Sequence, residues 1–119
     1  MPPPPPPDYA LHQHEGVTVV SLDVESLLNV VDVNRINAGL VGLVDRGARR
    51  LVIDLQKVKF AGSAALGMLL GLAGDLNARG GKLVLANAKH VEPLLKITRA
   101  RGLFQIAPDT ITAMELAKA

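Results

Sequence analysis

The sequence contains no cysteine and no tryptophan, and aromatic residues make up only 3% of it. Without cysteine there can be no disulfide bond and no thiol catalysis, and we expect a cytoplasmic protein. Scarce aromatic rings argue against a surface that stacks nucleobases. No apolar run reaches the ~18–20 residues of a membrane-spanning helix. We therefore expect neither nucleic acid binding nor direct membrane insertion.

The sequence also lacks a large excess of either sign of charge, since the formal net charge of the 119 residues is only +2. Arg46, Arg49 and Arg50 lie close together in the sequence, but they follow a helical pattern and precede a strand pattern. Charge clusters in such positions usually belong to solvated turns. We interpret these arginines in that way.

Apolar residues make up 49% of the sequence, which is enough for one compact domain with an aliphatic core. The N-terminus differs, because residues 2–7 are six consecutive prolines that can join neither a helix nor a central strand. We predict a disordered proline-rich tail at residues 1–8 and a single folded domain at residues 9–119.

Hydrophobic periodicity predicts strands that alternate with helices after an initial hairpin. The predicted strands are 9–14, 17–22, 51–55, 82–86 and 104–106, with a hairpin turn at Glu15-Gly16. The predicted helices run from an Asp32 cap to Gly47, from 63 to about 78, through Val91, Leu94, Leu95 and Thr98 to Gly102, and over 109–118. This order indicates an α/β domain, a small mixed sheet of about five strands with helices packed against it. Strands 51–55 and 82–86 should be parallel neighbours.

Ser63 is the only hydroxyl residue at the junction between the central strand and the following helix. A serine there suits an N-cap, because its oxygen can accept a hydrogen bond from a free N–H group of the first turn. The same position suits a phosphate, which would meet free N–H groups and the positive end of the helix dipole. The residue pattern alone leaves both interpretations open.

The helix that follows Ser63 is apolar on both sides near its N-terminus, so one side can serve a partner. We expect Leu66, Leu69, Leu70 and Ala73 to face the sheet, and Gly67, Gly71 and Gly74 to allow close backbone approach. The predicted partner-binding residues are Gly62, Ser63, Ala64, Met68, Gly71 and Leu72.

No arrangement of residues suggests catalysis. Gly62 and Gly67 have the glycine spacing of a phosphate-binding loop, but Met68 and Leu69 occupy the positions that need lysine and serine or threonine. His12 and His14 could share a strand face, and without an evident third ligand we interpret both as solvent-side histidines. We expect no enzyme activity, no cofactor and no metal site.

Residues 58–87, VKFAGSAALGMLLGLAGDLNARGGKLVLAN, resemble the signature of the sulphate-transporter and anti-sigma-factor-antagonist (STAS) domain. The matching positions are Val52-Ile53-Asp54-Leu55, Phe60, Ser63, Leu66, Gly67, Arg79-Gly80-Gly81, Leu83-Val84-Leu85, Asn87 and the run 94–104. The departures are Gly62 for an acidic residue, Ala64 and Ala65 for a small polar residue and glycine, and Leu27 for an aspartate.

The resemblance implies a STAS domain that acts as an anti-sigma factor antagonist, a protein-binding switch in bacterial signalling. By the same resemblance, Ser63 would be phosphorylated by a partner anti-sigma factor that is a serine kinase, and a phosphatase would reset the system. Two alternatives remain: a non-phosphorylated scaffold subunit of a stress-sensing complex, and a soluble subunit of an ABC-type transporter.

Overall fold

A computed structural model of the chain describes residues 8–97 and 104–119. Its strands are β1 (Tyr9–His14), β2 (Val17–Leu22), β3 (Ser26–Leu27), β4 (Arg50–Asp54), β5 (Phe60–Ala61), β6 (Lys82–Ala86) and β7 (Phe104–Ala107). Its helices are α1 (Val30–Asp45), α2 (Ser63–Ala78), α3 (Glu92–Ile97) and α4 (Thr110–Lys118).

Five of the strands form one mixed sheet in the order β1-β2-β4-β6-β7. β1 is antiparallel to β2, and every other neighbouring pair is parallel. Val52 at the centre of β4 lies opposite Val19 on one side and Val84 on the other. The α/β class, the mixed five-stranded sheet and the parallel pairing of β4 with β6 are therefore confirmed.

Helices cover both faces of this sheet, which explains why β4 is apolar at consecutive positions. Leu51 and Ile53 belong to the larger core cluster with α1 and α2, whereas Val52 belongs to the smaller cluster under α4. All three side chains are fully buried. A parallel strand between two helical layers must be apolar on both faces, and successive residues serve opposite layers.

Several predicted boundaries move by a few residues. The hairpin turn is confirmed, with Glu15 and Gly16 both at positive φ. The N-cap of α1 is Asn29, not Asp32, because Asn29 Oδ1 accepts hydrogen bonds from the backbone N–H groups of Val31 and Asp32. Asp32 instead lies in the first turn. Thr98 and Gly102, predicted at the end of the third helix, lie outside the described residues.

The sequence patterns did not predict β3 and β5, which form a separate two-stranded parallel sheet. At two residues each, these strands are too short to show alternation. Asp8, the last residue of the predicted tail, is attached to the folded domain, since Arg35 Nε donates a hydrogen bond to Asp8 Oδ2 over 2.8 Å. Residues 1–7 lie outside the described part of the chain.

Candidate functional site

Ser63 is the first residue of α2 and its side chain is exposed. The N-cap position belongs to Gly62, which has extended backbone angles of φ −121° and ψ −168°, and no side chain caps the helix. An N-cap serine needs a non-helical backbone so that its oxygen can reach the N–H groups of the next turn. Ser63 is already helical, so the N-cap interpretation of this residue is wrong.

The first turn of α2 therefore offers backbone N–H groups that no side-chain cap satisfies. The first helical hydrogen bond runs from the Leu66 N–H to the Gly62 carbonyl oxygen over 3.2 Å. The N–H groups before Leu66 have no partner within the helix, as at the start of any α-helix. No acidic residue lies in this turn. The turn is thus electrostatically suited to an anion on the Ser63 oxygen.

Backbone hydrogen bonds hold the loop before Ser63 in place. The N–H groups of Lys59 and Phe60 both donate to the Glu25 carbonyl oxygen, over 2.8 and 3.2 Å. β5 then pairs with β3, with Ala61 opposite the buried Leu27. This clamp fixes the entry to α2 and positions Ser63 beside the connection between β3 and α1.

An exposed apolar surface lies on that connection and on β5. We define the apolar patch as Leu28, Val30, Val31 and Phe60, whose exposed fractions range from 54% to 69%. Leu28 contacts the start of α2 directly, since a Cβ built on Gly62 would lie 3.4 Å from Leu28 Cδ2. Solvent-exposed apolar groups in such a cluster are typical of protein–protein contact surfaces.

The sequence patterns did not identify the apolar patch. The signal available was the run LLNVV at residues 27–31, where large apolar residues continue past the predicted core positions into a connecting segment. Periodicity cannot show that such residues are exposed, because the helix N-terminus can project beyond the sheet that would cover it.

The face assignment of α2 needs correction. Met68 and Leu72, predicted to contact a partner, are buried with exposed fractions of 6% and 2%. Leu69 and Ala73 are buried as predicted, whereas Leu66 and Leu70 are only partly buried. The full buried set is Ala65, Met68, Leu69, Leu72, Ala73 and Leu76.

The reason is that α2 packs against both α1 and the sheet strand β6, so two of its sides are covered. Its open side carries Ser63, Gly67 and Gly71, which recur at the four-residue spacing of one helix face. A Cβ built on Gly67, Gly71 or Gly74 meets nothing within 4 Å. The expected close approach of these glycines to another part of the chain is therefore wrong.

Of the six predicted partner-binding residues, four remain available and two do not. Ser63 and Gly71 are exposed, and Gly62 and Ala64 are partly buried. Gly62, Ser63 and Ala64 adjoin the apolar patch where Leu28 approaches Gly62, and Gly71 lies about two turns farther along the open side of α2. We call these four residues and the apolar patch the Ser63 surface.

Two of the acidic groups close in sequence to the apolar patch, Asp23 and Asp32, form ion pairs. Arg35 binds Asp8 and, over 3.0 Å, Asp32 of the first turn of α1. Its hydrogen bond holds the pKa of Asp8 below the ordinary value. Lys57 Nζ pairs with Asp23 Oδ1 over 2.9 Å. Asp23 and Asp32 are therefore paired, whereas the exposed Glu25 and Lys59 form no ion pair within the described residues.

The described residues contain no group of three or more histidine, cysteine, aspartate or glutamate side chains placed to hold a metal ion. By the β1–β2 register, His12 and His14 lie opposite Val19 and Val17, on the same sheet face, and both are exposed. In the described ranges, no helix combines the length and apolarity needed to cross a bilayer.

Comparison with known proteins agrees with this architecture. A family model described as the STAS domain matches residues 8–113. A protein of Bordetella bronchiseptica, BtrV, described as a candidate anti-sigma factor antagonist, is 31% identical over 94 residues, which cover 78% of this chain and 79% of that protein.

Two solved structures of the anti-sigma factor antagonist SpoIIAA are also similar. The unphosphorylated form superposes with a TM-score of 0.72 at 18% identity, covering 93% of this chain and 98% of that one. The phosphorylated form from Bacillus superposes with a TM-score of 0.69 at 18% identity, covering 91% and 98%. At this level of identity, the two structures show a shared fold.

Proposed function

Since this chain belongs to the STAS domain family, we propose that it is a cytoplasmic protein-binding switch of the anti-sigma factor antagonist type, with Ser63 as its phosphate acceptor. The partner is an anti-sigma factor with serine kinase activity. It binds the unphosphorylated Ser63 surface and transfers the γ-phosphate of ATP to Ser63 Oγ, which loses its proton. A phosphatase reverses the modification.

The observation that carries this proposal is an exposed serine that does not cap its own helix, placed beside an exposed apolar patch. A hydroxyl engaged in capping would have to leave its hydrogen bond before reacting. The Ser63 hydroxyl needs no such step, so a kinase can reach it without opening α2. The resemblance of BtrV supports the same role.

The proposed release mechanism is electrostatic. A phosphoserine adds a charge of about −1.5 to −2 at neutral pH, together with three strongly hydrated oxygens. At Ser63 the free N–H groups of the first turn of α2 would stabilise that charge in the free protein. In the complex, the same charge would lie beside apolar surface from which the partner excludes water. Phosphorylation would therefore weaken binding with no refolding of the domain.

The chemistry in this scheme belongs to the partners, and the chain contributes a substrate hydroxyl and a docking surface. This division agrees with the departures from the family signature around Ser63. With Gly62, Ala64 and Ala65 as its neighbours, Ser63 has no adjacent carboxylate to repel an incoming phosphate. The residues that flank Ser63 in sequence have only small side chains, and the larger side chain close by is the apolar Leu28 of the patch.

The test uses a partner kinase recovered from a native extract with the wild-type chain and then purified. Incubation with ATP should add one phosphate to the wild-type chain and none to Ser63→Ala, as read by mass spectrometry. Ser63→Asp should bind the kinase more weakly than wild type in calorimetry, whereas Ser63→Ala should bind it in the presence of ATP without release. Ser63→Ala should change the free energy of unfolding by less than about 0.5 kcal/mol, because no cap is lost.

Ser26→Ala tests the other exposed serine beside the apolar patch as a phosphate acceptor: Ser26 lies opposite Phe60 in the β3–β5 register, and its Oγ accepts a hydrogen bond from the Leu28 N–H over 3.3 Å. This variant should be phosphorylated like wild type. Tight kinase binding by Ser63→Asp, combined with no phosphate on Ser63 after incubation with ATP, would refute the switch.

A further inference from the structure

Three arginines line one open groove at the opposite end of β4 from Ser63. The groove has a volume of about 750 Å³ and lies between the β1–β2 hairpin and the connection from α1 to β4. Arg46, Arg49 and Arg50 all contribute to its lining. The sequence spacing suggested a solvated turn, and Arg46 and Arg50 are indeed exposed there; the fold adds that all three residues line a shared concave surface.

The groove concentrates positive charge that no carboxylate within residues 8–97 and 104–119 neutralises. The other two arginines in the described residues, Arg35 and Arg79, pair with aspartates, whereas the three in the groove have no carboxylate within ion-pair distance. The only acidic residue in the groove lining is Glu15, and it pairs with Lys118 of α4.

One of the arginines, Arg49, is held in place by hydrogen bonds to the backbone. Arg49 Nη1 donates to the carbonyl oxygens of Val44 and Ala48, over 2.9 and 3.0 Å, and so satisfies the C-terminal end of α1. The Arg46 guanidinium lies over α1, since a Cβ built on Gly42 would be 3.2 Å from its Nη1 atom. Part of the charge of Arg49 offsets the negative end of the helix dipole. Arg46 and Arg50 are exposed and retain their full charge for a ligand.

We propose that this groove binds an oligophosphate group. Guanidinium groups match phosphate oxygens with paired hydrogen bonds, and several of them suit an anion with several charges. The volume lies within the range of small-ligand sites. The large apolar residues of the lining, Val17 and Leu43, are buried and Ala48 is small and partly buried, so the groove lacks a large exposed apolar anchor for a peptide segment. The lining contains no phenylalanine, tyrosine or tryptophan; its aromatic ring is the imidazole of the exposed His14, which lies 3.6 Å from Glu15, and the proposed contacts of the arginines are to the phosphates.

The experiment is calorimetric titration of the full chain with inorganic tripolyphosphate. Wild type should bind, and binding should weaken as the NaCl concentration rises because salt screens exposed charges. Arg46→Gln/Arg50→Gln should weaken binding by roughly tenfold or more, since it removes two charge-assisted contacts. Arg49 is left unchanged because it also stabilises the end of α1.

Lys59→Gln/Lys89→Gln is the matched control, because it removes the same net charge from two exposed lysines outside the groove. It should bind tripolyphosphate like wild type, and thermal unfolding should show that both double variants fold. Absence of binding by wild type, or equal weakening in both double variants, would overturn the proposal. Binding of a hexaglutamate peptide as tightly as tripolyphosphate would also overturn it, in favour of an acidic protein segment. None of these outcomes depends on Ser63.

Discussion

Replacing Gly67, Gly71 and Gly74 with alanine tests directly whether α2 has the open face described above. The three positions lie in the interior of α2, and none has a positive φ. A Cβ at each would meet nothing within 4 Å. Alanine can therefore adopt the same backbone conformation with no steric cost. The expected change in the free energy of unfolding then comes from the difference in helix propensity between glycine and alanine.

That difference is about 0.8–1.0 kcal/mol per residue in a helix interior, because glycine loses more conformational entropy on folding than alanine does. The triple variant should therefore be more stable than wild type by about 2–3 kcal/mol, if the three sites act independently. For a domain of this size, such a gain corresponds to a rise in the unfolding midpoint of about 10 °C. Urea titration at 25 °C followed by circular dichroism measures the free energy directly.

Gly81→Ala is the contrasting control, since a Cβ at Gly81 would overlap the backbone carbonyl of Arg49 at the start of β4. That carbonyl accepts the Lys82 N–H over 2.8 Å, so neither group can move without loss of a sheet hydrogen bond. This variant should be destabilised. A triple alanine variant of α2 that is less stable than wild type would refute the open face, because it would mean that the glycines contact another part of the chain.

Two further predictions concern the stability of variants at the buried Met68 and at the helix-capping Asp109. Met68→Ala should lower the free energy of unfolding by about 2–5 kcal/mol in urea titration, because Met68 is a core residue. A decrease of less than about 1 kcal/mol would contradict the burial of Met68. Asp109 caps α4 through the Thr112 N–H over 2.7 Å, and this bond lowers its pKa from the ordinary value of 3.8. Its contribution to stability is present above pH 3.8 and is lost as the pH falls through the lower folded-state pKa. Asp109→Asn should therefore lose less stability than wild type in acid titration below that pH, and identical pH profiles would contradict the assignment.

The longer elements of secondary structure were predictable because their signals are local, whereas the two-residue strands β3 and β5 were not. The apolar run of β4, the turn at Glu15-Gly16 and the helical spacing of α1 each depend on neighbours a few residues away. The place of Ser63 at the start of α2 followed from the same patterns. Its role at that place did not, because whether residue 62 or residue 63 is the N-cap depends on one pair of backbone angles.

The amino-acid sequence by itself determined the α/β class, the order of the five main-sheet strands and the helices, and the position of Ser63 between a strand and a helix. Only the tertiary structure decided which sides of α2 are covered, because that helix is apolar nearly all round and either side satisfies its composition. The exposure of Leu28 and Phe60, and the convergence of Arg46 and Arg50 on one groove, depend on contacts between segments distant in sequence. Hydrophobic periodicity predicts the conformation of a segment. Which of its residues are buried, and which charged residues lie close together, depends on the other segments that pack against that segment.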